Sequence, residues 1–423
     1  MPNIILVGTL DTKAHEFRYL YDQLKSVPFD DGTPINVTLI DCGREPTHDD
    51  RISITQSELI SKHSQREPEN VAELPRGDVI TFMIDCTTAC VRELVEQGDV
   101  HGVIGAGGSG GTSLIASVMR NAAPIGMPKL IVSTVASGDT GPLVGETDIT
   151  MMYSVVDIAG SNSLLRNILS NAASAMVGMA SNYQNVVHQR DSRSRTKIGI
   201  TMFGVTTPGV DAIRERLESK FGAEVFVFHA TGHGGRAMER LIEQGQLDAV
   251  VDLTTTEVCD FLMGGNMSAG PSRLEAALRA SIPTIISLGA TDMVNFGPKQ
   301  TVPIKYEGRL LFEHNPTVTL MRTTPEECKQ VAEFIIAKLE KFAKSPSQVQ
   351  VWMPQGGVSM IAVPGGPFAD EAADDAMFNT LRRGLEGSAV KVVADDRDIN
   401  NSSFATAIAD RIMEMVESDT KAM

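Results

Sequence analysis

Twice in this chain a helix ends on a glycine and runs directly into a short apolar strand that stops at a polar loop. The first copy is Glu93-Leu94-Val95-Glu96-Gln97-Gly98-Asp99-Val100-His101-Gly102-Val103-Ile104-Gly105-Ala106-Gly107-Gly108. The second is Arg240-Leu241-Ile242-Glu243-Gln244-Gly245-Gln246-Leu247-Asp248-Ala249-Val250-Val251-Asp252-Leu253-Thr254-Thr255. A glycine just past a helix end takes the left-handed conformation that closes the last turn. An apolar strand without alternation has to be buried on both faces, which a parallel sheet covered by helices provides. This repeated grammar predicts an α/β fold of two Rossmann-like domains with parallel sheets, laid out on one plan and open to a duplication reading. Glycine is frequent (37 residues) and aromatics are few (5%), a composition that suits closely packed helix–strand layers better than a β-sandwich.

A charged stretch, His188-Gln189-Arg190-Asp191-Ser192-Arg193-Ser194-Arg195, has almost nothing to bury and is expected to be a linker. It separates a domain over 1–187 from one over 196–423. The halves open alike. Ile4 to Gly8 leads through Thr9-Leu10-Asp11-Thr12-Lys13 into a helical run to Leu24, and Ile198 to Gly204 leads through Val205-Thr206-Thr207-Pro208-Gly209 into one reaching Leu217. Half one carries an insertion, roughly Arg44 to Arg76. A long helix is expected over Ser161–Tyr183, with Ser163, Asn167, Asn171, Ala175 and Met179 on one face, suited to a domain or subunit contact or to the core. Further strands are expected at Val349–Met353 and Ala389–Ala394, with Ser402 capping a helix that runs to about Val416.

The formal charge of −16 argues against nucleic acid or an anionic membrane as the main partner, since phosphate neutralisation needs a basic surface. No apolar run reaches the roughly 18 residues that span a bilayer. The N-terminus enters a strand at once and is not expected to be a signal peptide. Five scattered cysteines, Cys42, Cys86, Cys90, Cys259 and Cys328, do not form a disulfide framework or a zinc spacing and read as buried thiols in a reducing compartment, the cytoplasm.

The loop richest in chemistry is Gly105-Ala106-Gly107-Gly108-Ser109-Gly110-Gly111-Thr112, between a strand and a helix. Bare backbone N–H groups at a helix N-terminus form an anion site. Three motifs fit the loop. Gly105, Gly107 and Gly110 match the dinucleotide fingerprint, although the next strand ends in Ser133-Thr134 rather than an acid. Gly107, Ser109 and Gly111 match a nucleophile elbow, for which Asp292 and His314 are candidate partners. The third reading is a plain phosphate cradle without the Walker lysine. On the same rim, Lys13 could meet a phosphate, Asp11 could hold Mg²⁺, and Asp41 could meet a ribose. The loop from Ser133 to Pro142 is long and hydroxyl-rich enough to close over a ligand. In half two, Thr206, Thr207, His229, Thr231, His233, Arg236, Thr254 and Thr255 follow strands and are candidates for a second-substrate pocket, with Gly232 arguing against a helical His–His metal pair.

Taken together, the Gly-Thr-Leu-Asp-Thr-Lys opening at Gly8–Lys13, the glycine loop at Gly105–Thr112, His229-Ala230-Thr231-Gly232-His233-Gly234-Gly235-Arg236-Ala237-Met238-Glu239 and Pro364-Gly365-Gly366-Pro367-Phe368-Ala369-Asp370 resemble the Tm-one-like ATP-binding family, named for the inhibitor domain of a tomato mosaic virus resistance protein. The resemblance covers Ile4 to about Ile412. It implies two Rossmann-like subdomains, ATP binding and a homodimer; antiviral activity belongs to the plant member. The leading expectation is therefore a nucleotide-binding protein with its site between the Asp11 and Ser109 loops and a second substrate in an interdomain cleft. A serine hydrolase using Ser109 and a non-catalytic nucleotide-dependent binding protein are the alternatives. No catalytic residue is assigned.

Overall fold

In the computed structural model, residues 2–28, 32–64, 71–188 and 195–422 are described. The chain divides into two units, Met1–Ser192 and Arg193–Met423. The expected linker falls at 189–194, outside the described residues, apart from its two ends.

Unit 1 is built on the strands β1 (Asn3–Gly8), β2 (Asn36–Asp41), β3 (Ile52–Ile54), β4 (Val100–Gly107), β5 (Lys129–Ser133) and β6 (Thr150–Tyr153). They form one parallel sheet in the order β3-β2-β1-β4-β5-β6, the order of a Rossmann fold. Its helices are α1 (Leu10–Ser26), α2 (Gln56–His63), α3 (Arg76–Glu96), α4 (Ser109–Ala122), the single turn α5 (Gly141–Val144) and α6 (Ser163–His188). Successive strand residues feed opposite faces. Ile5, Val7 and Val103 pack with Met83, Ile115 and Val118 on the α3/α4 side, whereas Ile4, Leu6 and Ile104 pack with Phe17, Leu169 and Met176 on the α1/α6 side. Helix α6 turns Leu165, Leu169, Ala172, Met176 and Ala180 inward, so Ser163, Asn167, Asn171 and Ala175 are exposed rather than core.

Unit 2 contains β7 (Lys197–Met202), α7 (Thr207–Phe221), β8 (Glu224–His229), α8 (His233–Glu243), β9 (Ala249–Thr254), α9 (Thr256–Met263), α10 (Glu275–Ala280) and β10 (Thr284–Gly289). An antiparallel excursion follows, β11 (Met293–Phe296), β12 (Leu311–Asn315) and β13 (Val318–Arg322), which pair in the order β11-β13-β12. The unit closes with α11 (Pro325–Phe342), β14 (Val349–Pro354), α12 (Glu371–Gly384), β15 (Lys391–Asp395) and α13 (Ser402–Ala422). Its parallel sheet runs β8-β7-β9-β10-β14-β15. With β3 set aside, the sheet of unit 1 runs β2-β1-β4-β5-β6, the same order up to β14. β3 and α2 both lie in the insertion of half one, so that insertion lengthens one sheet edge without altering the plan.

One cap differs from expectation. Ser402 is the first residue of α13, and the Asn401 carboxamide caps it by accepting from the N–H groups of Ser403 (3.0 Å) and Phe404 (3.4 Å). All five cysteines are free and buried; burial pushes the Cys86 and Cys90 thiols up to about 11.

Candidate functional site

Strand order reverses between β1 and β4, because the chain moves outward to β2 and β3 on one side and to β5 and β6 on the other. Helices α1 and α4 therefore leave the sheet on opposite faces, and a crevice opens at the strand carboxyl ends between the β1 and β4 loops. A cleft of about 840 Å³ lies there. Of the residues singled out from the sequence, it gathers Thr9, Asp11, Thr12, Lys13, Gly108, Ser109, Gly110, Gly111 and Thr134. It also takes in residues the sequence reading missed, chiefly Cys42, Arg44, Arg76, Tyr153, Val155 and Asp157, above a floor of Val79, Met83 and Leu114.

The glycines of the loop divide into two classes. A methyl placed on Gly105 would stand 2.8 Å from the Val7 carbonyl oxygen, and one on Gly107 would stand 2.8 Å from the Gly111 and Thr112 backbone. Those two belong to strand and helix packing and do not line the cleft. At Gly108, Gly110 and Gly111 the nearest atoms are 3.9, 3.5 and 3.9 Å away, ordinary contact distances, and none has a positive φ. The fold itself thus accepts a side chain at these three positions, yet the backbone is left bare at a cost of roughly 0.5–1 kcal/mol per glycine within a helix.

No side chain caps α4 at Gly108, and its first intrahelical bond is from Thr112 N–H to the Gly108 carbonyl. The N–H groups of Ser109, Gly110 and Gly111 precede that bond and have no helical acceptor. They face the cleft with the positive end of the helix dipole behind them. The Arg76 guanidinium adds charge at the same place, its Nη2 lying 3.7 Å from where a Gly110 methyl would stand. Arg44 lines the opposite side, with one guanidinium nitrogen donating to the Leu74 carbonyl at 3.0 Å. Lys13 lines it too and donates from its ammonium to the Ile158 carbonyl.

Three expected contacts are scaffold instead. Asp41 is fully buried: Oδ1 accepts from Leu10 N–H (3.2 Å) and Gly43 N–H (3.0 Å), and Oδ2 from Thr47 N–H (3.2 Å). Burial raises its pKa above the usual carboxylate value against the pull of those donors, and no oxygen faces a ribose. Thr112 and Ser133 are buried and share a 2.7 Å hydroxyl contact, Thr112 also donating to the Gly107 carbonyl and Ser133 accepting from Val135 N–H. Asp11 keeps its place at the cleft, but Oδ2 is taken by the N–H groups of Arg44 (2.9 Å) and Glu45 (3.3 Å). Among the described residues no cluster of three metal-ligating side chains occurs. Ser109 is exposed, without a hydrogen bond to a histidine or carboxylate among the described residues, and Asp292 is fully buried in unit 2 under the Ser359 hydroxyl (2.9 Å). Among the described residues of unit 1, no hydrogen bond joins Ser109 to the general base that a serine nucleophile needs.

In unit 2 the corresponding crevice, between the β7 and β9 loops, is filled. Thr206 and Thr254 are buried and touch through their hydroxyls at 2.8 Å; Thr255 is buried and donates to the Ser287 carbonyl. Asn400 occupies the start of α7: its carboxamide oxygen accepts from Gly209 N–H (3.1 Å), and its amide donates to the Val205 carbonyl (2.9 Å). The expected second pocket is thereby corrected at Thr206, Thr254 and Thr255. Thr207 donates to the Phe203 carbonyl, Thr231 to the His229 carbonyl, and exposed His229 stacks on Phe203 with ring centroids 5.6 Å apart. His233 and Arg236 pair at 3.0 Å, and Arg236 also donates to the Ser268 carbonyl.

Among curated proteins, a UPF0261 protein of Clostridium tetani (strain Massachusetts / E88) is 43% identical over 414 residues, 98% of this chain and 99% of the relative. The ToMV resistance protein Tm-1(GCR237) of Solanum lycopersicum is 40% identical over 428 residues, 98% of this chain but 56% of the plant protein. Among solved structures, UDP-N-acetylglucosamine 2-epimerase from Rickettsia bellii matches with a TM-score of 0.21 and 11% identity over 67% of this chain and 78% of that one, a likeness too slight to speak to substrate. Residues 2–185 match the N-terminal domain, and residues 195–416 the C-terminal domain, of the uncharacterised protein family UPF0261, to which this chain therefore belongs.

Proposed function

We propose that unit 1 binds a nucleotide, with ATP the first candidate, and that the α4 N-terminus holds its phosphates. The observation that carries this reading is the open glycine set Gly108, Gly110 and Gly111 at an uncapped helix start, beside Arg76. A phosphate needs bare N–H groups, close approach and positive charge, and these residues supply all three. The contrast with unit 2 supports it: there the chain fills the corresponding crevice with its own Thr206, Thr254 and Asn400. Asp11 has Oδ1 without a hydrogen bond among the described residues, which suits a phosphate-bound Mg²⁺. The buried free thiols fit a cytoplasmic setting.

The test is thermal unfolding of the full chain with and without Mg-ATP, for wild type and Gly108→Val. At 100 times its dissociation constant a ligand stabilises by about 2.7 kcal/mol, a readily measured shift in midpoint. A Cβ at 108 meets nothing closer than 3.9 Å and Gly108 lines the cleft, so the variant should fold and lose the shift. An equal shift in both proteins, or no wild-type shift with ATP, ADP or GTP, would sink the reading.

A further inference from the structure

Resting on that phosphate reading, we propose that the loop after β6 is the nucleoside subsite of the same cleft, with Tyr153 stacking the base and Asp157 accepting the ribose hydroxyls. The two ends of the cleft differ in chemistry. Sheet order puts the glycine loop in the middle, the β1/β2 loops on one side and the β6 loop on the other. The β1/β2 side presents Arg44, suited to a polyphosphate, and Asp11, suited to a Mg²⁺ bound to it, while the Lys13 ammonium reaches across to the Ile158 carbonyl beyond β6. The β6 side presents Tyr153, 42% exposed, and Val155, 57% exposed. Apart from these two, Leu164 is the one large hydrophobic exposed to this degree among the described residues of unit 1. A tyrosine ring open at a ligand cleft offers a face on which any base can stack.

The backbone holds this wall in a conformation it would not choose. Val155 has a φ of +63°, rare for a β-branched residue, and lies at the centre of a three-residue turn closed by Val156 N–H to the Ser154 carbonyl at 2.6 Å. Three ties hold it: Ser154 N–H to the Ser133 carbonyl (3.1 Å), the Ser154 hydroxyl to the Val156 carbonyl (2.6 Å), and the Lys13 ammonium to the Ile158 carbonyl. Strain of this kind persists where the surroundings impose it, and here it keeps Val155 out at the cleft. Asp157 is exposed, lines the cleft and has no hydrogen bond among the described residues. A carboxylate with no cation between repels phosphate by its charge, and because it accepts without donating it suits a vicinal diol. Asp41, the acid that a Rossmann site would ordinarily offer a ribose, is sealed in the core, which leaves that task to Asp157.

Titration calorimetry of ATP, 2′-deoxy-ATP and inorganic triphosphate into the full chain separates the two readings. Tyr153→Ala should weaken ATP by roughly ten- to a hundredfold and leave triphosphate unchanged, while Tyr153→Phe keeps ATP binding. Asp157→Asn should abolish the wild-type preference for ATP over 2′-deoxy-ATP. ATP binding unmoved by Tyr153→Ala, or triphosphate weakened in step with it, overturns the subsite. Wild type that binds triphosphate as tightly as ATP overturns it while the phosphate cradle stands. Wild type that binds neither removes the cradle and the subsite together.

Discussion

One carbon added at position 107 and one added at position 108 should have opposite effects. Gly107→Ala places a methyl 2.8 Å from the backbone of α4 and should cost about 1–3 kcal/mol of stability, measured by urea denaturation. Gly108→Ala meets nothing closer than 3.9 Å and should leave the urea midpoint nearly unmoved while weakening nucleotide binding. The loop could be recognised from composition, but its internal division could not, because it depends on how near Val7 and Thr112 come in space. The same limit explains the error at Asp41. Its position at a strand end is legible, whereas the three N–H groups that turn it inward come from Leu10, Gly43 and Thr47 across two loops. Arg44 and Arg76 bracket an insertion, and nothing in their spacing says that both return to one cleft.

Elements were read best where burial alone defines them. β4 and β9 are apolar because sheet and helices enclose them, and that requirement is written locally. The β11–β13 excursion was missed because Met293 to Arg322 mixes apolar, charged and turn residues, and its pairing depends on antiparallel register. The ties between elements are less legible still. Arg273, 1% exposed, bonds Asp252 of β9 at 2.6 and 2.7 Å, Glu257 of α9 at 2.7 Å and Glu239 of α8 at 3.2 Å. Removing it leaves three carboxylates without their shared cation, so Arg273→Met should cost about 3–5 kcal/mol, read as a lower urea midpoint. The loss should be much smaller at an N-cap: Asn401→Ala should cost about 1 kcal/mol and Ser402→Ala far less, since Asn401 makes the cap.

At the scale of the whole molecule, charge burial sets a pH dependence. Burial pushes the Asp260 and Asp292 carboxyls, both in unit 2, up to about 7 from 3.8. The folded state therefore holds protons that the unfolded chain releases, and stability falls as pH rises from about 4 to about 7, by up to about 1.4 kcal/mol per pH unit for each group. Asp292→Asn should gain on wild type in thermal midpoint as pH is raised from 5 to 8; a constant difference between the two would refute the assignment. The sheets of the two units share a strand order from one edge to β14, yet the crevice of unit 1 holds a cleft where that of unit 2 holds Thr206, Thr254 and Asn400, so a common plan supports two different demands on sequence. The open glycines make one of those demands visible. Since the scaffold does not require them, a descendant that gave up its ligand could accumulate side chains at 108, 110 and 111 and still fold, while 105 and 107 stayed fixed. Those three positions would then be the first record of a lost function, decaying while the architecture around them persisted.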